Sequence, residues 1–534
     1  MIALLIGVSP LWPANFAFGQ PATAARAPAD AVPTNTESSS ATKPASTDFF
    51  SSAADYEAAV ARLGDDLAAI VRERKLLLVW VVGESESMAD DRKQVAAQAC
   101  KLQKRLVPKP TAHARPNHEA PVRVGVVSYG ARHRNHTPTA LDDPEAIAAV
   151  FEFESDPSGE SLQCPALEFA VLTYRQLAER EERRLVFVLV TDESGDMSTN
   201  ITKFEPTLAR LKDVHARVDV IGREAVFGYP YAKRRGVDRH NPEAKSVRFT
   251  SGPETADPET LQHNGFHRRL DPYPSGFGPY EQIRLARETG GRYIMLPSPE
   301  TEFVGRSDKP LDVAPLRAYL PELSSRDDYR AAREASPLRR AVFKVIVDMN
   351  PYAPRPPGET IELRVIHFSI DRDQFAAEAA LQTAAARRVL AMYEAAEKSL
   401  AEVSQLRDAE TSPRWRADFD LLYAETISNQ ARLHEYIAAL DEFVRQPKPI
   451  KNVLGPKQPT NEWVVQPVDK LLRPDVSGLL RDRARKLLRE VVERYAGTPW
   501  AQRAADELKR GYGSTLGENH FKPRPLPFIH IPFP

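Results

Sequence analysis

Four apolar runs, LLLVWVV at 76–82, VRVGVVSYG at 122–130, LVFVLVTD at 185–192 and ARVDVIG at 216–222, stand between segments of helical periodicity. Runs with so little polar alternation suit strands covered on both faces, the condition of a parallel sheet rather than of one with a wet face. After the first run Val95, Ala99, Leu102 and Leu106 mark one helix face, and residues 144–154, 165–177 and 204–214 read as further helices. YEQIRLARETGGRYIML at 280–296 adds a helix closed by Gly290 and Gly291 and a last strand. A short edge strand is expected at 140–142. Tyr56, Val60, Leu63, Leu67 and Ile70 place an amphipathic helix ahead of the first strand. Repeated strand–helix order predicts an α/β fold, a doubly wound, mostly parallel sheet with helices on both faces.

That sheet does not use up 534 residues, since a domain takes roughly 100 to 200. An α-helical C-terminal region is expected beyond it. Residues 301–370 read as a helical extension and connector with one possible strand at 361–368, and 371–447 as a long helical hairpin. Ser412 and Pro413 supply the N-cap and first turn of its second helix, and Phe419, Leu422, Leu433, Ile437, Leu440 and Val444 its apolar stripe. A proline-rich linker at 448–475 leads to a helix pair at 476–512. Leu480, Ala484, Leu487, Val491 and Tyr495 face one way there, Gly497 ends the first helix and Thr498-Pro499 starts the second. The turn resembles that of TPR-like pairs and suggests a docking hairpin. The proline- and aromatic-rich tail at 513–534 cannot be helical and is apolar enough to lie against a partner or its own helices.

At the other end, residues 1–19 (MIALLIGVSPLWPANFAFG) resemble a signal peptide ending in small residues Ala17 and Gly19. Residues 20–50 hold too little apolar surface to order themselves and read as a disordered linker. Export to the periplasm, cell envelope or medium is therefore expected. No later run reaches the about 20 apolar residues that span a bilayer, so no membrane insertion is expected. Lys+Arg 72 against Asp+Glu 73 leaves a net charge of -1, which gives no field toward nucleic acid. Cys100 and Cys164 belong to helices expected on opposite faces of the sheet, beyond the about 7 Å that a disulfide tolerates between Cα atoms, and are expected as free thiols.

In a doubly wound sheet ligands gather beyond the carboxyl ends of the strands. There stand Gly83-Glu84-Ser85-Glu86-Ser87-Met88 and Thr191-Asp192-Glu193-Ser194-Gly195. These loops resemble the metal-ion-dependent adhesion site of von Willebrand factor A (VWA) domains, in proteins of the secreted bacterial type. In that family an Asp-x-Ser-x-Ser loop, a Thr and a second Asp hold a divalent cation. VRVGVVSYG and the Glu288-Thr-Gly-Gly-Arg-Tyr segment also match, so the resemblance spans 75–296, within a VWA domain expected at 51–300, and leaves the C-terminal half uncovered.

Position by position, Ser85 and Ser87 match the two serines, Asp192 the second aspartate, and Ser161 in SGESL the threonine. Gly83 stands where the first aspartate belongs. The resemblance thus implies a degenerate site, short of one of the carboxylates that a hard, near-octahedral cation takes. Glu84 and Glu86 are out of phase, because neighbouring side chains on an extended segment point oppositely; Glu160 or Glu193 is placed to lean in. Two outcomes stay open. Either the site keeps weak Mg²⁺ or Mn²⁺ binding, or it takes no cofactor and Ser85, Ser87 and Asp192 only bond loop backbone and cap the helix starting near Met88.

His133 and His136, and His263 with His267, fall in expected loops and read as solvated. No phosphate loop, nucleophile elbow or zinc-protease motif occurs. The resemblance implies an exported, non-catalytic protein-interaction or scaffold protein with a protein partner in the envelope or extracellular space. Its expected contact is an insertion at 223–277 rich in Tyr, Phe, Arg and His, placed near the top loops. The alternatives are a structural envelope protein assembling through its helical region, and a subunit of a metal-dependent enzyme.

Overall fold

The Asp55 carboxylate accepts from the Ala58 amide at 2.8 Å and so satisfies one of the donors left free at a helix start. From there the chain alternates as its apolar runs require. The computed structural model describes residues 49–107, 120–228, 232–235, 246–249, 252–269, 271, 273–297, 311–356, 359–455 and 457–522. The expected signal peptide, nearly all of the linker after it, and the tail beyond Lys522 lie outside the described residues.

The elements run β1 (Phe50–Ser52), α1 (Tyr56–Glu73), β2 (Leu76–Gly83), α2 (Ala89–Leu106), β3 (Val122–Tyr129), β4 (His133–Asn135), α3 (Pro144–Ala149), α4 (Gln163–Arg180), β5 (Arg184–Val190), α5 (Met197–Asp213) and β6 (Arg217–Arg223). A two-stranded ribbon, β7 (Ala232–Arg235) and β8 (Ser246–Phe249), precedes α6 (Tyr280–Glu288) and β9 (Tyr293–Leu296). The helical region follows: α7 (Val313–Leu316), α8 (Arg326–Ala335), α9 (Pro337–Asp348), α10 (Arg372–Val403), α11 (Pro413–Arg445), then β10 (Glu462–Val468), α12 (Pro474–Arg494), α13 (Pro499–Lys509) and β11 (Gly513–Asn519).

The main sheet has seven strands in the order β1-β9-β6-β5-β2-β3-β4, parallel throughout except for β4. Its connections depart to opposite sides of β2, with β3 on one flank and β5 on the other. This is where an open α/β sheet forms a crevice at its carboxyl edge. All eight residues of β2 are buried: Leu76, Leu78, Trp80 and Val82 meet α1 and α2, while Leu77, Val79 and Val81 meet the layer of α4, α5 and α6. Each fully buried side chain of this kind contributes about 1.5–3 kcal/mol.

The edge strand is at His133–Asn135, not at 140–142, where Leu141 makes a single bridge to Val124. Gly130 closes a tight turn onto the Arg132 carbonyl (2.9 Å), so the antiparallel partner forms at once after β3. The strand expected at 361–368 is likewise one bridge, Phe368 to Trp463, because His367 at φ 64° breaks the extended chain. The linker and tail both hold strands: β10 lies in 448–475, β11 in 513–534, and they pair antiparallel from Glu462↔Asn519 to Val468↔Gly513. The α11 stripe is too narrow a reading. This helix is buried nearly all round, polar residues included, whereas Val444 at its end is 39% exposed.

The helical region is no separate module. The core between the sheet and α4–α6 continues through Phe277, Tyr280, Leu316, Tyr329 and Val342 to Phe375, Phe419 and Tyr436. The α12–α13 pair docks on its own chain, packing Leu488, Val491, Tyr495, Trp500 and Ala504 against Ala417, Leu421 and Ala424 of α11.

Within the insertion expected as a partner surface, residues 252–269 are largely buried and are tied to α11 and α13 by an ionic network. Arg414 joins Glu254 and Glu259; Arg503 holds Glu425 at 2.7 and 2.8 Å and the Leu261 carbonyl at 2.8 Å; Arg269 spans Glu425 (3.1 Å) and Glu507 (3.0 Å). Arginine and aromatic side chains in a loop serve a chain's own interface as well as a foreign one. Cys100 and Cys164 are free and buried. Among the described residues no helix is long and apolar enough to cross a membrane.

Candidate functional site

Two chain reversals meet at the crevice. After Gly83 the backbone leaves β2, the Glu84 amide still bonding the Tyr129 carbonyl (2.7 Å), and a 3-10 turn over Glu86–Met88 leads into α2. After Val190 the chain turns through Thr191 and Asp192, and the Glu193 carbonyl accepts from Gln163 (2.9 Å), Gln282 (2.6 Å) and Thr191 (2.9 Å). Three donors on one carbonyl fix this turn.

Ser85, Ser87 and Asp192 converge. The serine hydroxyls are 3.0 Å apart, Ser85 donates to Asp192 Oδ1 at 3.4 Å, and Ser87 donates to Oδ2. Neither serine caps a helix: no side-chain cap hydrogen bond occurs at the start of the 3-10 turn or of α2. Ser161 stands nearby without bonding any of the three. Its carbonyl accepts from Asp196 (2.9 Å), and its hydroxyl lies 3.5 Å from Gln163 Nε2, which also donates to Thr191 at 3.0 Å. Gly83 leaves room where a side chain would begin: a Cβ there would meet Met88 Cγ and Tyr129 Oη at 3.6 Å.

Glu84 turns away from the array. It is buried against β3, where it accepts from Ser128, and Ser128 is 2.6 Å from His136 Nε2. His136 stacks on Phe153 with ring centroids 4.6 Å apart, and His133 packs on Phe169. Of the other pair, His267 is half-buried with Nδ1 2.8 Å from the Arg268 carbonyl, and His263 is completely buried. His136, His263 and His267 are thus packed or bonded rather than simply solvated.

Sequence reasoning missed the cations and the phenol of this site. Arg92, one turn into α2, donates to the carbonyls of Gly83 (3.4 Å) and Ser85 (3.0 Å) and to Ser155 Oγ (2.6 Å), pinning the loop from below. Arg223, at the end of β6, pairs with Asp91 at 2.8 Å, and Tyr56 lies beneath its guanidinium. A signal existed for Arg223, the residue just after an apolar strand at the carboxyl edge; Arg92 and Tyr56 sit in helical patterns that mark them only as helix residues. Burial raises the Asp192 pKa, with Asp91 adding to it and Ser87 and Arg223 opposing. Burial lowers that of Arg92, against the pull of Glu84, Asp192 and Asp91.

Ligand oxygens about 2.1 Å from a small cation sit about 3 Å from one another when cis, so the spacing of the array suits one face of an octahedron. The array itself holds one carboxylate, on which Arg92 and Arg223 both act, and among the described residues no three His, Cys, Asp or Glu converge as a metal cage.

No protein-family model matches the chain, and no curated protein matches it. Among solved structures, proximal thread matrix protein 1 from the mussel byssus, described with a zinc-occupied MIDAS motif, is similar at 17% identity with a TM-score of 0.22 over 29% of this chain and 36% of that one. The chain therefore spans about a third of that protein's length. An aerotolerance-related membrane protein from Bacteroides fragilis is similar at 13% identity, TM-score 0.25, over 41% of this chain and 90% of that one. Manganese-loaded TRAP protein from Plasmodium vivax is similar at 15% identity, TM-score 0.21, over 28% and 57%. The zinc and manganese belong to those proteins.

Proposed function

We propose that the chain is an exported, non-catalytic interaction or scaffold protein of VWA type, whose top loops dock a protein partner in the envelope or extracellular space with weak or lost dependence on Mg²⁺ or Mn²⁺. The observation that carries this reading is the meeting of Ser85, Ser87 and Asp192 at the sheet's crevice, with Gly83 opening the loop that bears both serines. The arrangement supports docking rather than turnover. Both hydroxyls donate to Asp192, and the one histidine–serine hydrogen bond among the described residues, His136 with Ser128, sits on a serine that is 0% exposed and closed to substrate. The turn at Glu86, the loop at Glu160 and the start of α5 at Ser198, all exposed, offer the docking face.

Gly83→Asp, whose Cβ would meet only ordinary contacts at 3.6 Å, adds a second carboxylate and is expected to tighten Mn²⁺ binding by about tenfold or more, read by titration calorimetry. Micromolar binding by the unaltered chain, unimproved by the substitution, would refute a degenerate site. For the partner, a pull-down from envelope extract should lose its captured protein on Glu86→Arg and Glu160→Arg together. Unchanged capture removes the top face from the account.

A further inference from the structure

The charge at the crevice is balanced from within. Arg223 reaches across the end of the sheet, donating to Asp91 in the first turn of α2 (2.8 Å) and to the Pro297 carbonyl (2.6 Å). Its guanidinium stands 5.8 Å from the centre of the Tyr56 ring. Its positive charge acts on Asp91 and Asp192 together, and those two carboxylates act on each other. Tyr56, only 3% exposed, brings its phenol to the same place, with Asp91, Arg223 and Asp192 as its electrostatic neighbours. β5 and β6 run parallel with Val190 opposite Ile221, so Asp192 and Arg223 leave the sheet side by side, and the carboxylate that holds the Ser85 and Ser87 hydroxyls shares one guanidinium with Asp91. Arg92 adds its charge through space but gives its donors to two loop carbonyls and Ser155, so the ion pair with Asp91 falls to Arg223.

We propose that Arg223 is a built-in counter-ion performing the charge work of a divalent cation at this site, and that Asp91 is the carboxylate a cation would take in place of the one missing at position 83. Close carboxylates repel unless a positive charge stands between them. A fixed guanidinium supplies that charge without an equilibrium with ions in solution, so the Ser85–Ser87–Asp192 array stays closed with or without metal. Removing the guanidinium leaves Asp91, Asp192 and two hydroxyls as hard oxygen donors without their counter-charge. The inference rests on the VWA-type reading of the top face but concerns only its charge.

The experiment is a Mn²⁺ titration of the full chain by calorimetry, checked by the loss of the free-ion paramagnetic resonance signal. Arg223→Gln is expected to bind Mn²⁺ at least about tenfold more tightly than the unaltered chain, and Arg223→Gln with Asp91→Asn is expected to lose the gain. Arg223→Lys, which keeps the charge, should show no gain. No gain with Gln, a gain that survives Asp91→Asn, or an equal gain with Lys overturns the proposal. If Arg223→Gln is unfolded by itself, Mn²⁺ should restore its circular dichroism; failure to restore it overturns the proposal equally. Partner capture by the unaltered chain in EDTA reports on docking alone, so failure of that reading and failure of this one are told apart.

Discussion

His263 is buried with Nε2 3.0 Å from the Ile361 carbonyl and Nδ1 2.8 Å from Tyr393 Oη. A carbonyl only accepts, so Nε2 carries the proton and Nδ1 accepts from the tyrosine and from the Gly265 amide at 3.2 Å. Burial drives this imidazole down to about 3, while an unfolded histidine titrates near about 6.5. Between those values the unfolded chain binds the extra proton, so the histidine's contribution is present above about 6.5 and is lost as pH falls toward its folded value. His263→Gln should flatten that slope, with the two proteins differing on the order of 4 kcal/mol less at the acid end than near neutrality, measured by urea unfolding across the range. The sequence marked His263 only as a loop residue, because buried loops have no periodicity to betray them. Ser85, Ser87 and Asp192 were legible for the opposite reason: the apolar runs end so sharply that the residues after them must crown the sheet. Ser161 was placed by analogy of spacing, and what actually touches Thr191 is Gln163, two residues on.

At the scale of elements, caps and continuous apolar runs carried most of the information. Ser412 bonds the Trp415 amide and Thr498 the Ala501 amide, both at 3.4 Å, as the S-P and T-P starts imply. Gly497, between α12 and α13, holds φ 79° with nothing within 4 Å of the place of a Cβ. Gly497→Ala therefore meets backbone strain alone and should cost about 1–2 kcal/mol, visible as a lower denaturant midpoint with an unchanged slope. The ribbon of β10 and β11 was illegible for a physical reason. Its strands are far apart in sequence, β11 reads GSTLGEN with two glycines, and β10 contains Pro467. What holds them is tertiary: Trp463 and Leu516 join the core, and Lys448 donates to the Leu516 carbonyl at 2.9 Å.

Across the whole molecule, the join between sheet and helices rests on charge as much as on apolar packing. Glu425 is fully enclosed and answers both Arg503 and Arg269. Glu425→Gln leaves two guanidiniums short of a partner and should cost about 3–5 kcal/mol, measured by urea unfolding. Asp90→Asn, which breaks an ion pair whose side chains are 80% and 87% exposed, should change stability by less than about 1 kcal/mol. This join lay beyond the sequence, since Glu254, Glu259 and Arg269 find their complements on α11 and α13, more than a hundred positions later. The borders of the main sheet have a consequence for behaviour in bulk. β1 and β4 are three residues each, so either side offers a neighbouring molecule scarcely one turn of backbone ladder. At this sheet crowded copies have little to zip onto, and an array built across its borders is cemented by side chains rather than grown as a fibre.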